Sequence, residues 1–428
     1  MTTSAMTEPL TAPPTAPPLR RNFGFQMIWT GMTAASLGVS VADIAYPLAI
    51  LAITGSPARV GLFAAVQLIG GLLAGLPAGS LADRYHPRTI VICAQACRAA
   101  VTALVAVALI TGWLSLPVLL TAAVLLGAGA ATSNPAGILL LRSVVPDEQL
   151  NTAMAQDQVR SSGAQLAGPA LGGALYSIRA LAHAVPFLFT AVSFVVSLVT
   201  AFALKMPPDA DQAPSQAPGE APTAAGRQQA DGGMLAGLRT LWAHPLMRPA
   251  TLLILLVNTI GAGLDLVVIV LLRHQGVPSA QIGLALGLGS AGAIAGIPLI
   301  KILHRLRPGV VMLVTCLSFA PVVLLLAVPF GPWWVAAILF TASLSIPAAL
   351  VALDIVVLRQ APAEQRGRIV AALMTVMTLG APAGLIGCGL LLQYLPAQTT
   401  LLILAAILIV GLSYCATRRA LWQARWPS

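Results

Sequence analysis

Twelve charge-poor apolar stretches follow one another along this chain, near residues 23–53, 58–81, 89–111, 114–141, 152–177, 184–204, 249–272, 281–302, 309–329, 332–358, 366–394 and 398–417. A bilayer core of about 30 Å is crossed by roughly 20 helical residues, so each stretch is long enough to span it. With 58% hydrophobic and 8% charged residues and a mean hydropathy of +0.89, the composition lies well outside that of soluble domains. The expected fold class is an all-α membrane protein of twelve transmembrane helices.

Lys and Arg accumulate on the cytoplasmic side of inserted helices. If both termini lie in the cytoplasm, only Arg59, Arg179 and Arg273 face outward and Arg98 and Arg160 fall within spans, which leaves 18 of the 23 basic residues facing inward. This asymmetry accounts for the net charge of +10, and anionic lipid headgroups are its expected counterions; no nucleic-acid partner is implied. Residues 1–22 are polar and proline-rich and read as a disordered cytoplasmic tail, with no cleavable leader pattern. Residues 205–247, rich in Pro, Ala, Gln and Asp, read as a cytoplasmic linker, and 418–428 as a C-terminal tail. The linker divides the spans six and six, into bundles at 23–204 and 248–417.

The two halves echo each other. Asp43 precedes Gly61 by 18 residues, and Asp265 precedes Gly283 by the same interval. Leu141-Arg142 followed by Pro146-Asp-Glu148-Gln149 is matched by Leu358-Arg359 followed by Pro362-Ala-Glu364-Gln365, and Gly75-Leu-Pro77 by Gly296-Ile-Pro298. These echoes keep their order, and their offsets of about 216 to 222 residues agree within small insertions, which indicates a duplication of the kind that builds transporters around a midplane site.

Between the second and third spans runs Gly79-Ser-Leu-Ala-Asp-Arg-Tyr-His-Pro-Arg88. Gly79 permits close helix approach, and the Asp83 carboxylate suits the positive N-terminus of a helix in the other half. Gly79, Leu81, Ala82, Asp83, Arg84 and Arg88 resemble the signature of the major facilitator superfamily, Gly-x-Leu-Ala-Asp-Arg-x-Gly-Arg-Arg/Lys. His86 and Pro87 stand where that pattern has Gly and Arg. The resemblance extends over all twelve spans and implies two pseudo-symmetric six-helix bundles working by alternating access. It also implies a gating contact of this loop with the eleventh helix, near Arg366. Asp354, five residues before Arg359, is expected to pair with Lys301 or Arg305 in a degraded second copy of the loop.

In the fifth span, Gly168-Pro169-Ala-Leu-Gly172-Gly173 resembles the Gly-Pro-x-x-Gly-Gly core of the antiporter motif of the same superfamily, although Ala164 stands where an upstream glycine is usual. Proline removes a backbone donor and kinks the helix while glycines allow close contact, which would limit leakage between the halves. A simply kinked packing helix is the other reading of this run.

Charges within hydrocarbon are costly and mark function. Asp43 lies 12 residues before Gly55 and Asp265 lies 11 before Gly276, depths of roughly 18 Å and roughly 16 Å. In the superfamily, these two helices line the central cavity. A carboxylate there can take up a proton facing one side and release it facing the other. Asp43 is the first candidate for proton coupling and Asp265 the second; alternatively, Arg98 or Arg160 holds Asp43 in a static ion pair. Asp157 and Arg160 can also pair with each other at i, i+3. Trp29, Ser36, Gln67, Asn134 and Asn258 are candidate cavity residues, with Ser36 and Asn258 each two turns from an aspartate on the same face.

The only lysines, Lys205 and Lys301, do not form a phosphate-binding loop, so ATP is not expected as the direct energy source. Cys93, Cys97, Cys316, Cys388 and Cys415 lie within spans and read as packing residues; neither metal nor cofactor is expected, nor is enzymatic activity. The combination of Asp43, Asn134-Pro135-Ala136, Gly168-Pro169 and Glu364-Gln-Arg-Gly-Arg368 resembles the macrolide-efflux and siderophore-export branch. That implies a monomeric, multi-pass protein of the cell membrane exporting small amphipathic organic molecules in exchange for protons. An importer of a nutrient or lipid, or a non-transporting membrane sensor, would share the fold.

Overall fold

A computed structural model describes residues 19–178, 180–204, 247–299, 308–328, 330–347 and 366–417. Among the described residues there is no strand, and twelve α-helices of 12 residues or more follow in order. The first six are α1 (Phe23–Thr54), α2 (Pro57–Arg84), α3 (Pro87–Ile110), α4 (Leu116–Val144), α5 (Asp147–Ser177) and α6 (Val185–Ala203). The second six are α7 (Met247–His274), α8 (Ser279–Ala295), α9 (Pro308–Leu326), α10 (Pro332–Ser343), α11 (Arg366–Tyr394) and α12 (Ala397–Ala416).

Local chemistry fixes the turns. Asn22 caps α1 by accepting from the Phe25 amide at 3.1 Å, and its own amide donates to the Val144 carbonyl at the end of α4 at 3.0 Å. Gly55 ends α1 in the left-handed region (φ 61°), and Gly276 turns after α7 in the same region (φ 74°). Ser56 and His86 cap α2 and α3, each followed by proline at the first helical position. Within the stretch read as an N-terminal tail, Leu19–Arg21 form a 3-10 turn, and Leu19 is buried in a cluster with Phe25, Ile28 and Leu204.

The helices pack as two copies of one pattern. In the first half, α1 packs on α5 and α6, α2 on α4, and α3 on α4 and α6. In the second, α7 packs on α11 and α12, α8 on α10, and α9 on α10 and α12, which is the first set with six added to every number. The main contacts between halves, α2 with α11 and α5 with α8, exchange under the same operation. The protein is an all-α membrane protein of two pseudo-symmetric six-helix bundles.

Among the described residues, seven helices are both long and apolar enough to cross a membrane, with four shorter apolar helices beside them. α5 is the exception. The helix expected over 152–177 is present and carries only Asp157 and Arg160 as charges there, but with Asn151, Gln156, Gln158, Ser161, Ser162 and Gln165 it is more polar than a lipid-facing span. Asp157 and Arg160 are satisfied by each other and by α1, and Ser161 and Gln165 face the space between the halves rather than lipid. Most of the linker, the C-terminal tail, Asp354, Lys301 and Arg305 lie outside the described residues.

Candidate transport cavity

Where the two bundles meet, a cavity of about 610 Å³ is enclosed by α1, α2, α3, α4 and α5 from one half and α7, α8 and α11 from the other. Asp43 and Asp265 both line it. Each lies in the middle of a helix whose neighbouring residues are buried, yet each is itself exposed, because it faces this interior space. The duplication inferred from spacing thus places one carboxylate from each half on a shared void. Among the described residues, neither carboxylate has a hydrogen bond or ion pair.

Ser36 and Asn134, both expected, line the cavity, together with Ser40, Ser161, Gln165 and Ser290, which the sequence did not single out. Pro169 cannot donate a backbone hydrogen bond to the Gln165 carbonyl one turn earlier, and both residues stand on the cavity wall. Gln67 lines a continuation of about 600 Å³ that shares Asp43 and Asn134 and runs between α2, α4 and α11 past Gly71 to Gly75. Trp29 is instead half-buried against the Leu140 and Leu141 cluster, and Asn258, half-buried on α7, is not part of the cavity wall.

Arg98 and Arg160, the two buried cations among the described residues, have different surroundings. Arg160 is 9% exposed and pairs with Asp157 at 2.7 Å. It also donates to the Met32 carbonyl and to the Ser36 hydroxyl, each at 2.6 Å, fastening α5 to α1. Its guanidinium is therefore engaged away from Asp43. Arg98 is 5% exposed, lies 4.1 Å over the Phe194 ring and lines the cavity beside Asp43, with no ion pair among the described residues. Gln95, Arg98 and Thr102 occupy one face of α3, and among the described residues the buried atoms Gln95 Oε1 and Arg98 Nε have no hydrogen-bond partner.

The Gly-Pro run divides its contacts between the two sides of α5. A Cβ on Gly168 would run into Ser40, and one on Gly172 would come within 2.7 Å of the Val41 carbonyl, so both seat α5 on α1. Gly173 faces the other half: a Cβ there would lie 3.0 Å from the Gly283 Cα on α8. Its counterpart is Gly389 on α11, where a Cβ would lie 3.3 Å from the Gly61 Cα on α2. Two polar links reinforce the same end of the molecule: Ser56 Oγ donates to Gln393 Oε1 at 2.6 Å, and Arg273 donates to the Leu48 carbonyl at 2.9 Å. The end holding the α1–α2 and α7–α8 turns is therefore drawn together, while the cavity continues toward the opposite end.

At that opposite end, Arg88 of the charged loop donates to the Ala201 and Phe202 carbonyls at 2.9 and 2.7 Å, closing the C-terminus of α6. His86 accepts from the Arg88 amide at 3.2 Å, which explains a histidine where a glycine is usual: it caps α3. Arg84 is exposed, and what surrounds Gly79 and the Asp83 carboxylate lies outside the described residues.

The sequence profile of the Major Facilitator Superfamily matches residues 28–385. The multidrug efflux pump Tap of Mycobacterium tuberculosis and of Mycobacterium bovis is 26% identical over 274 residues, covering 62% of this chain and 62% of each of those proteins. Among the solved structures that share the fold are two transporters. The nucleoside transporter NupG is 12% identical with a TM-score of 0.71, over 94% of this chain and 99% of that one. A bacterial homologue of the human lysosomal transporter Spinster, in an inward-facing and occupied conformation, is 15% identical with a TM-score of 0.70, over 96% and 100%. With one family profile spanning the greater part of its length and the architecture shared with such transporters, the chain belongs to the Major Facilitator Superfamily.

Proposed function

We propose that this protein is a secondary active transporter that exports small amphipathic organic molecules across the cell membrane in exchange for protons. The observation that carries this reading is the pair of unpartnered carboxylates, Asp43 and Asp265, on the first helix of each half and open to one cavity between them. Two carboxylates that face one interior space, with no cation in contact among the described residues, are groups able to take up and release a proton or to hold a cationic ligand. Asp43 carries the proton. Arg98, buried on α3, lines the same cavity wall.

The direction rests on the similarity to a multidrug efflux pump and on the Gly-Pro run of α5. In this reading both termini, the linker and the charged loop face the cytoplasm, the end with the α1–α2 turn faces outward, and the conformation described is open inward. Asp83 latches the opposite, outward-open state. The protein works as a monomer and uses no ATP.

The test is export in cells lacking their own pumps. Collapsing the proton gradient should raise the amount of substrate retained by cells carrying the protein, and an unchanged or lower retention would count against export.

A further inference from the structure

The pseudo-symmetry that relates the two aspartates does not extend to their surroundings. Asp43 faces α3, where Arg98 supplies a buried cation whose Nε has no hydrogen-bond partner among the described residues. A side chamber of about 20 Å³ between Asp43, Tyr46, Arg98 and Thr102 is large enough for a single water. The helix that corresponds to α3 in the second half is α9, and its sequence, Pro308–Leu326, contains no basic residue. On its own helix Asp265 is accompanied on the cavity wall by apolar Ala262, Leu266 and Ile269, and α8 contributes Leu286 and Ser290. One cavity therefore holds two carboxylates and one buried guanidinium, and the guanidinium stands with Asp43.

We infer that Asp265 is the anchor for the positively charged group of an amphiphilic organic cation, whose apolar body lies against Leu266, Ile269 and Leu286. The inference rests on the transport reading above and divides the work of the two aspartates: Asp43 holds the proton, Asp265 the cargo. A cavity of about 610 Å³ falls in the size range of small-molecule sites, and a few fixed polar groups in an apolar wall are what orients a ligand there. A bare metal ion fits less well, because among the described residues no three His, Cys, Asp or Glu side chains gather into a ligand set. Serine and amide groups at Ser36, Ser40, Asn134 and Ser290 complete the polar part of the wall.

Equilibrium binding to the purified full-length protein tests this with two probes of nearly the same shape, N-methylacridinium, a permanent cation, and acridine, neutral at neutral pH. The wild type should prefer the cation by about tenfold or more, each decade corresponding to about 1.4 kcal/mol. Asp265→Asn should erase the preference and Asp265→Glu should keep it, which separates lost charge from lost folding. A wild type without preference, or a preference that survives Asp265→Asn, would overturn the assignment. Binding requires no gradient, so a failure here leaves alternating access standing. Conversely, absence of gradient-driven export would remove the transport reading while this binding result stood.

Discussion

Gly61 of α2 and Gly389 of α11 approach each other so closely that a Cβ on either would lie 3.3 Å from the Cα of the other, and Gly173 with Gly283 repeats the arrangement at 3.0 Å. Backbones this near leave no room for a side chain, so both crossings depend on residues that have none. They are also crossings that must part if the cavity is to open at this end.

Gly283→Val is expected to block closure of the α1–α2 end, because the added atoms meet the Pro169 carbonyl and the Gly173 backbone across the interface. Transport should fall by about tenfold or more, since overpacking costs about 1–3 kcal/mol, while insertion and thermal unfolding within each bundle change little. Gly163→Ala, where a Cβ meets nothing within 4 Å, serves as the control and should retain flux. Equal behaviour of the two variants would remove the interface from the cycle.

Asp43→Asn keeps the shape of the side chain and removes its titration. Proton-driven export should drop to background with membrane insertion unaffected, as measured by substrate flux into proteoliposomes under an imposed proton gradient. Full activity of this variant would take Asp43 out of the coupling step.

Arg160→Ala should act on stability rather than on coupling. It strips the Met32 carbonyl, the Ser36 hydroxyl and the Asp157 carboxylate of their donor at once. Breaking a largely buried ion pair of this kind costs about 3 kcal/mol, visible as a lowered unfolding temperature in detergent. The surviving protein should keep its dependence on the proton gradient; loss of that dependence at unchanged stability would place Arg160 in the coupling path instead.

Arg273→Gln removes the positive charge from a link between α7 and the Leu48 carbonyl of α1. A charged hydrogen bond is worth about 1.5–3 kcal/mol, so the state open at the α1–α2 end should gain about tenfold or more in population. Labelling of a cysteine placed at Ser36, in a background without the native cysteines, reports this as faster modification by an impermeant reagent from that side. An unchanged rate would show that the glycine crossings hold the end shut unaided.

What the sequence disclosed was set by how far each signal reaches along the chain. Asp43 and Asp265 stand out because a lone charge in an apolar helix has few explanations, and their equal distance from Gly61 and Gly283 related them before any packing was known. Ser161, Gln165 and Ser290 were invisible, since an uncharged polar residue in a helix looks the same on a cavity wall as against a neighbouring helix. Arg160 revealed its partner three residues away, but its bonds to α1 reach Met32 and Ser36, more than 120 residues distant in the chain. Arg88 read as part of a gate because of the loop that contains it. Its contacts with α6 arise from tertiary packing that no local pattern encodes.

The exchange of α2 with α8 and of α5 with α11 between the two seals has a consequence for ancestry. A single six-helix unit already owns both members of each crossing, a glycine to offer and a glycine to receive. Two such units facing each other across a twofold axis would close with no further change, as isologous dimers do. Joined end to end, they gain the freedom to diverge, and the cation on α3 that α9 lacks is where one partner has ceased to be a copy of the other.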